Sequence, residues 1–195
     1  MAATPSTMLP LGTRIPPFNL PDLDGIMRSP EEFSRAPALL VAFICPHCPF
    51  AQHVRQGFSR FAKEYQERGL VVFAINSNDE RAFPEDGLTG MKEEAAQAGY
   101  TFPYLRDESQ EVAQAFRAAC TPDLFLFDRD RRLVYRGQFD DSRPRNDRPV
   151  DGADLRAAAD AVLARLPVPE PQKPSIGCNI KWKPGNEPDY FRNKR

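Results

Sequence analysis

The stretch LLVAFICPHCPFAQHVRQGF, beginning at Leu39, narrows the choice of folds more than any other part of the chain. Residues 38–44 form an unbroken apolar run of strand length with no polar alternation, which predicts a central strand covered on both faces. Downstream, Ala51, Val54, Phe58, Phe61, Ala62 and Tyr65 recur at helical spacing, with Gln, Arg and Lys between them and Gly69 as a stop. At the junction stand Cys45 and Cys48, separated by Pro46 and His47. A disulfide across so short a loop is a poor staple. It removes roughly 2 kcal/mol of unfolded-chain entropy, against about 3 for a fifteen-residue loop, and its ring is strained. Strain eases reduction, which suits a pair that opens and closes repeatedly.

The rest of the chain extends this unit. LVVFAIN, residues 70–76, predicts a second buried strand, so the helix after the cysteines is a crossover between parallel strands. Upstream, PPFNLPDLDGIMRSPEEF predicts two short strands about an Asp24-Gly25 turn. Beyond residue 76 the pattern predicts a helix near 91–98 ended by Gly99, then an extended YTFPYL. A helix capped by Ser109 follows, with Val112, Ala115, Phe116 and Ala119 on one stripe. DLFLFD and RLVYRG, joined by a charged turn, predict a closing hairpin, and a last helix spans about 153–164. The expected fold is α/β, a central mixed β-sheet flanked by helices with an N-terminal β-hairpin. One domain covers 1–166, and a Pro-rich tail covers 167–195. Because the tail carries Ile176, Ile180, Trp182, Tyr190 and Phe191, it is expected to pack on the domain.

With 41% apolar and 27% charged residues, the 195-residue chain can bury one substantial core. A formal net charge of −1 without a basic run argues against nucleic acid as a partner. The N-terminal stretch has no charged segment leading into an apolar one, and no apolar run is long enough to span a bilayer; the expectation is a cytoplasmic protein with no membrane partner. Four cysteines are too few for a disulfide-built scaffold, which leaves redox or metal chemistry for the pair. Cys120 and Cys178, or His47 and His53, complete a zinc set only on paper. The two cysteines come singly, so no metal and no other cofactor is expected. His53 reads as an exposed helix residue, and Cys120 as a small buried hydrophobe.

A Cys-x-x-Cys at the exit of a buried strand and the start of a helix is a thiol-redox signature. The thiolate is the nucleophile, and a helix N-terminus supplies free N–H donors and a positive dipole end that favour it. With Pro46 as first helical residue, Cys45 is the N-cap and attacks, while Cys48 resolves the mixed disulfide. With Pro49 first, Cys48 is the cap and the more acidic thiol; this register answers the difficulty that Pro49 has no N–H for the Cys45 carbonyl. The first register is the expectation, with the second as its rival.

Over essentially its whole length the sequence resembles the AhpC/TSA (redoxin) branch of the thioredoxin-like superfamily, in particular the peroxiredoxin-like 1 group. The matching residues are LGTRIPPFNLPDLDG, FICPHCPF, VVFAINSND, CTPDLFLFD and the tail PSIGCNIKWKPGNEPDYF. The resemblance implies a thioredoxin-like fold and a thiol–disulfide oxidoreductase. It makes Pro122 a cis-proline facing the cysteines, with Thr121 beside it holding an extended substrate thiol segment. Its partners would be protein or small-molecule thiols and disulfides and a thioredoxin- or glutathione-type electron donor. The Pro46-His47 dipeptide resembles that of disulfide-forming oxidants of the superfamily, where it lowers the pKa of the attacking thiol. The alternative is a thiol-dependent peroxidase with Cys48 attacking; a redox-sensing or zinc-binding module is a third reading. Counting back from Cys48, however, the peroxiredoxin Thr and Pro are replaced by Cys45 and Val41. The arginine before LFLFD is replaced by the Thr121-Pro122-Asp123 segment. The thioredoxin buried acid is replaced by Leu39, which leaves the proton acceptor unidentified. Tail residues Ile176, Ile180 and Trp182 are expected to dock near the active-site end, with Cys178 as a possible third redox thiol.

Overall fold

The apolar run at 38–44 becomes the middle of a five-stranded sheet. The computed structural model describes residues 3–192, so the outermost residues of the expected domain and tail limits lie outside them. In chain order the elements are β1 (Ala3–Pro5), β2 (Leu20–Pro21), β3 (Met27–Arg28), β4 (Ala38–Phe43), α1 (Pro49–Gln66), β5 (Leu70–Asn76), α2 (Leu88–Ala98) and β6 (Tyr104–Arg106). There follow α3 (Glu111–Ala115), β7 (Cys120–Thr121), β8 (Asp123–Phe127), β9 (Leu133–Gly137), α4 (Ala153–Leu163), β10 (Ile176–Asn179) and α5 (Asp189–Arg192).

The main sheet has the order β6-β5-β4-β8-β9. β4 runs parallel to β5, and β5 to β6, while β8 and β9 are antiparallel. With β4 in the centre, both its faces must be apolar. Leu40 and Ala42 meet Phe58, Phe61 and Tyr65 of α1 and Leu155 of α4. Leu39, Val41 and Phe43 meet Phe18, Val112 and Phe116 on the opposite side. The edge-on Phe43–Phe116 pair, with centroids 5.4 Å apart, adds about 1 kcal/mol beyond its buried area.

Two local expectations are corrected. Helix α1 starts at Pro49, not Pro46, with Cys48 as its extended N-cap. Proline at 49 cannot donate to the Cys45 carbonyl, so residues 46–47 form a turn and the helical ladder opens with Gln52 N–H donating to the Cys48 carbonyl at 2.9 Å. At α3 the N-cap is Gln110, not Ser109. The capping acceptor is the Asp107 carboxylate, which takes the N–H groups of Ala113 (2.9 Å) and Val112 (3.4 Å).

A second sheet, β1-β10-β7, lies over the cysteine end of the molecule. Strand β10 from the tail pairs antiparallel with β7, placing Cys178 opposite Thr121. Gly177 permits this approach: a Cβ there would lie 1.9 Å from the Thr121 carbonyl oxygen. The segment after β10 is tied down by Lys181 N–H donating to Asn78 Oδ1 and Lys183 N–H donating to Gln110 Oε1. Ile180 is buried, and Trp182 is half-buried with Tyr190 edge-on to it.

Candidate active site

Four chain segments meet at the start of α1. Cys45, Cys48 and Cys178, all free thiols, are buried together with Ala51. The Thr121–Pro122 peptide is cis. Thr121 touches both cysteines of the pair: its hydroxyl lies 3.5 Å from Cys45 Sγ, and its carbonyl accepts from the Cys48 thiol at 3.0 Å. The backbone edge expected to hold a substrate segment is therefore already paired with β10.

The electrostatics separate the two thiols. Cys48 is pulled down to about 5, chiefly by the hydrogen bond from Cys45 and against the cost of burial; Thr121, the Ala51 N–H and Cys178 add to the pull. These donors join the positive end of an eighteen-residue helix whose first turn carries no carboxylate. Cys45 is pushed well above the ordinary thiol value, first by burial and then by its bond to Cys48 and the negative charge of Asp86. Cys178 rises to about 12 for like reasons, burial first and then its bond to Cys48. The cap position expected for Cys45 belongs instead to Cys48, because it moved with the helix start.

Asp86 is the site residue that sequence reasoning missed. It ends a 3-10 turn, Pro84–Asp86, and its side chain is fully buried. Its carboxylate accepts from the His47 N–H (3.1 Å), from His47 Nδ1–H (2.5 Å) and from Asn78 Nδ2 (2.7 Å). The His47 ring is also stacked on Phe83, with centroids 5.4 Å apart and planes 6° from parallel. The one signal in the sequence was the acid-bearing FPED loop after β5, indistinguishable there from a solvated turn. Cys45, His47 and Asp86 offer three metal-type donors within 4.8 Å. Both Asp86 oxygens, however, already accept N–H bonds, which makes the group a hydrogen-bond hub rather than a cation cage.

Beside it, Pro46, His47, Gln52, Arg55, Glu93 and Glu94 line a cleft of about 400 Å³. Glu94 is buried, accepts from Tyr104 Oη at 3.0 Å and Tyr100 Oη at 3.3 Å, and is raised to about 7 by burial. Cys120 is buried apart from the three thiols, its Sγ donating to the Pro122 carbonyl at 3.5 Å. His53, expected exposed, is half-buried because the Pro122–Phe139 side of the molecule closes over it. Among the described residues no helix is long and apolar enough to cross a membrane.

No curated protein matches the chain. Among solved structures it is similar to an uncharacterized conserved protein from Geobacillus kaustophilus, with 53% identity, TM-score 0.92 and coverage of 95% of this chain and 98% of that one. It is similar to a hypothetical protein from Sinorhizobium meliloti 1021, with 56% identity, TM-score 0.92 and coverage of 93% and 100%. A thiol:disulfide interchange protein of the thioredoxin family from Chlorobium tepidum shares the fold at 19% identity, TM-score 0.61, over 78% of this chain and 97% of that one. The α/β architecture, a mixed sheet flanked by helices with a cysteine pair at a helix start, is thioredoxin-like, and the AhpC/TSA family model matches residues 11–136. The chain belongs to the AhpC/TSA family.

Proposed function

We propose that this protein is a thiol–disulfide oxidoreductase of the peroxiredoxin-like 1 group, in which Cys48 attacks and Cys45 resolves. The supporting observation is the position of Cys48 as N-cap of α1, where its surroundings pull its thiol down while burial pushes the Cys45 thiol up. Cys48 thiolate attacks a substrate disulfide and expels one thiolate. Cys45 then attacks the Cys48 sulfur, expelling the second thiolate and leaving a Cys45–Cys48 disulfide, which a thioredoxin- or glutathione-type donor reduces. Pro46 and His47 tune the pair. Thr121 and Pro122 receive the substrate thiol segment when β10 yields its pairing, and Cys178 acts as a donor to the Cys48 thiolate and a third thiol within reach of it.

A second reading is thiol-dependent peroxide reduction by Cys48, favoured by the same cap position, since peroxiredoxins attack from this second place. Against it, Cys45 and Val41 stand where that chemistry uses Thr and Pro, so a donor that would polarise the peroxide is missing.

The test is alkylation against pH in single-cysteine variants, run beside turnover of a small disulfide and of hydrogen peroxide. Cys45→Ser, in which the serine hydroxyl keeps a donor beside Cys48, should still react rapidly near neutral pH. Cys48→Ser should react slowly until alkaline pH. The reverse pattern would return the attacking role to Cys45. Peroxide turnover outpacing disulfide exchange would favour the peroxidase.

A further inference from the structure

In the reduced site the neighbouring thiols shift each other in opposite directions, Cys48 down and Cys45 up. That pairing lasts only while Cys48 is a thiolate. Once Cys48 is tied to substrate, its sulfur is a neutral bridged atom and a weak acceptor, yet Cys45 must lose its proton to attack it. The nearest other polar atom, Thr121 Oγ1 at 3.5 Å, belongs to a hydroxyl and is a poor base. The Asp86 carboxylate is the remaining base: Cys45 Sγ, a His47 ring nitrogen and an Asp86 oxygen all lie within 4.8 Å of one another, a span that one water or a small side-chain rotation closes.

We propose that Asp86, coupled to His47, accepts the Cys45 proton as Cys45 resolves the mixed disulfide on Cys48. In this step the Cys45–Cys48 S–S bond forms, the Cys48–substrate S–S bond breaks and the electron pair leaves on the substrate thiolate. The Cys45 proton passes to the Asp86–His47 pair and then to that leaving thiolate. The inference rests on the assignment of Cys48 as the attacking thiol.

The pair is built for the task. Asp86 is held from both sides, with Asn76 Nδ2 donating to its backbone carbonyl at 2.7 Å and Asn78 Nδ2 to its carboxylate. Because an ionised carboxylate only accepts, the His47 Nδ1 contact fixes an N–H there. His47 is 14% exposed and lines the cleft, so it links a fully buried carboxylate to a route for the proton. The neighbouring titratable groups are Cys48 and Cys178 at the thiols, Tyr104 and Glu94 behind them, Arg55 beside Glu94, and Lys181, whose Nζ lies 5.6 Å from the Phe83 ring under His47. Glu94 is the rival base, but it does not belong to the group of donor atoms gathered around Cys45.

Stopped-flow reaction with dithiobis(nitrobenzoate), in a Cys178→Ala background so that only Cys45 can resolve, separates the two steps. The first coloured thiolate reports attack by Cys48, and the second reports resolution by Cys45. Asp86→Asn should leave the first release within about threefold while slowing the second about 100-fold at pH 7, with a rate that climbs with hydroxide. Asp86→Glu should regain part of the loss, and Glu94→Gln should keep the parent pH profile of the second release. Should Asp86→Asn not fold, His47→Ala serves: its second release should slow about tenfold and recover with added imidazole. A second release untouched by Asp86→Asn, a slowing reproduced by Glu94→Gln, or a His47→Ala variant that neither slows nor responds to imidazole overturns the proposal. If instead the first release survives Cys48→Ser and vanishes in Cys45→Ser, the assignment of the attacking thiol fails first.

Discussion

Helices α1 and α4 pack on the same face of the central sheet, yet their N-termini are finished with opposite chemistry. At α4 the donors are met by carboxylates. Asp140, buried, accepts from the N–H groups of Asp151 (2.9 Å) and Gly152 (2.7 Å), and Asp154 stands in the first turn. At α1 the first turn has no acid, proline occupies the first position, and the group at the cap is a sulfur. Both ends obey the rule that a helix start favours negative charge. The difference is what supplies it. A carboxylate is charged at every physiological pH and anchors the fold, whereas a thiol becomes charged only because the helix end and its neighbours stabilise it, and it is then a nucleophile.

Breaking the structural end is expected to have the largest effect on stability. Asp140→Ala strands two backbone donors and both groups of Ser142, and should cost about 3 kcal/mol, lowering the thermal midpoint by roughly 10 °C. Its Cys48 alkylation profile should stay in place; a profile that moved with it would mean that the two helix ends are not independent.

The next effect falls on the cover of the chemical end. In Gly177→Ala the new Cβ meets backbone rather than a side chain that can swing away, so β10 must give up its pairing with Thr121. Alkylation of Cys48 should quicken roughly tenfold as local opening becomes easier. An unchanged rate would show that β10 does not limit access to the thiolate.

The smallest change makes α1 more like α4. Gln52 is exposed near the start of α1, its side chain donating to the Pro46 carbonyl. Gln52→Glu places a carboxylate there and should raise the pH at which Cys48 ionises, from about 5, by about 0.5. The direction follows from sign: a negative charge beside a thiolate favours the protonated thiol, so less thiolate survives at a given pH. A fall instead would remove the helix end from the account of Cys48 acidity.

Much of the frame was legible in the sequence because its causes are local. The apolar run at 38–44, the helical spacing of Val54, Phe58, Phe61 and Tyr65, and the Cys-x-x-Cys between them reflect periodicities of single elements, and each element formed where its pattern stood. Even the start of α1 is written locally, in the missing N–H of Pro49, although Pro46 offers a conflicting local cue. The tertiary structure alone decided which other groups surround the sulfurs. Asp86 reaches His47 across 39 positions, Thr121 reaches Cys48 across 73, and Cys178 arrives by strand pairing from the tail. No periodicity encodes such meetings. They depend on how loops and strands from distant segments close over one helix end, and those few ångströms of surroundings set a thiol's acidity together with its neighbours in sequence.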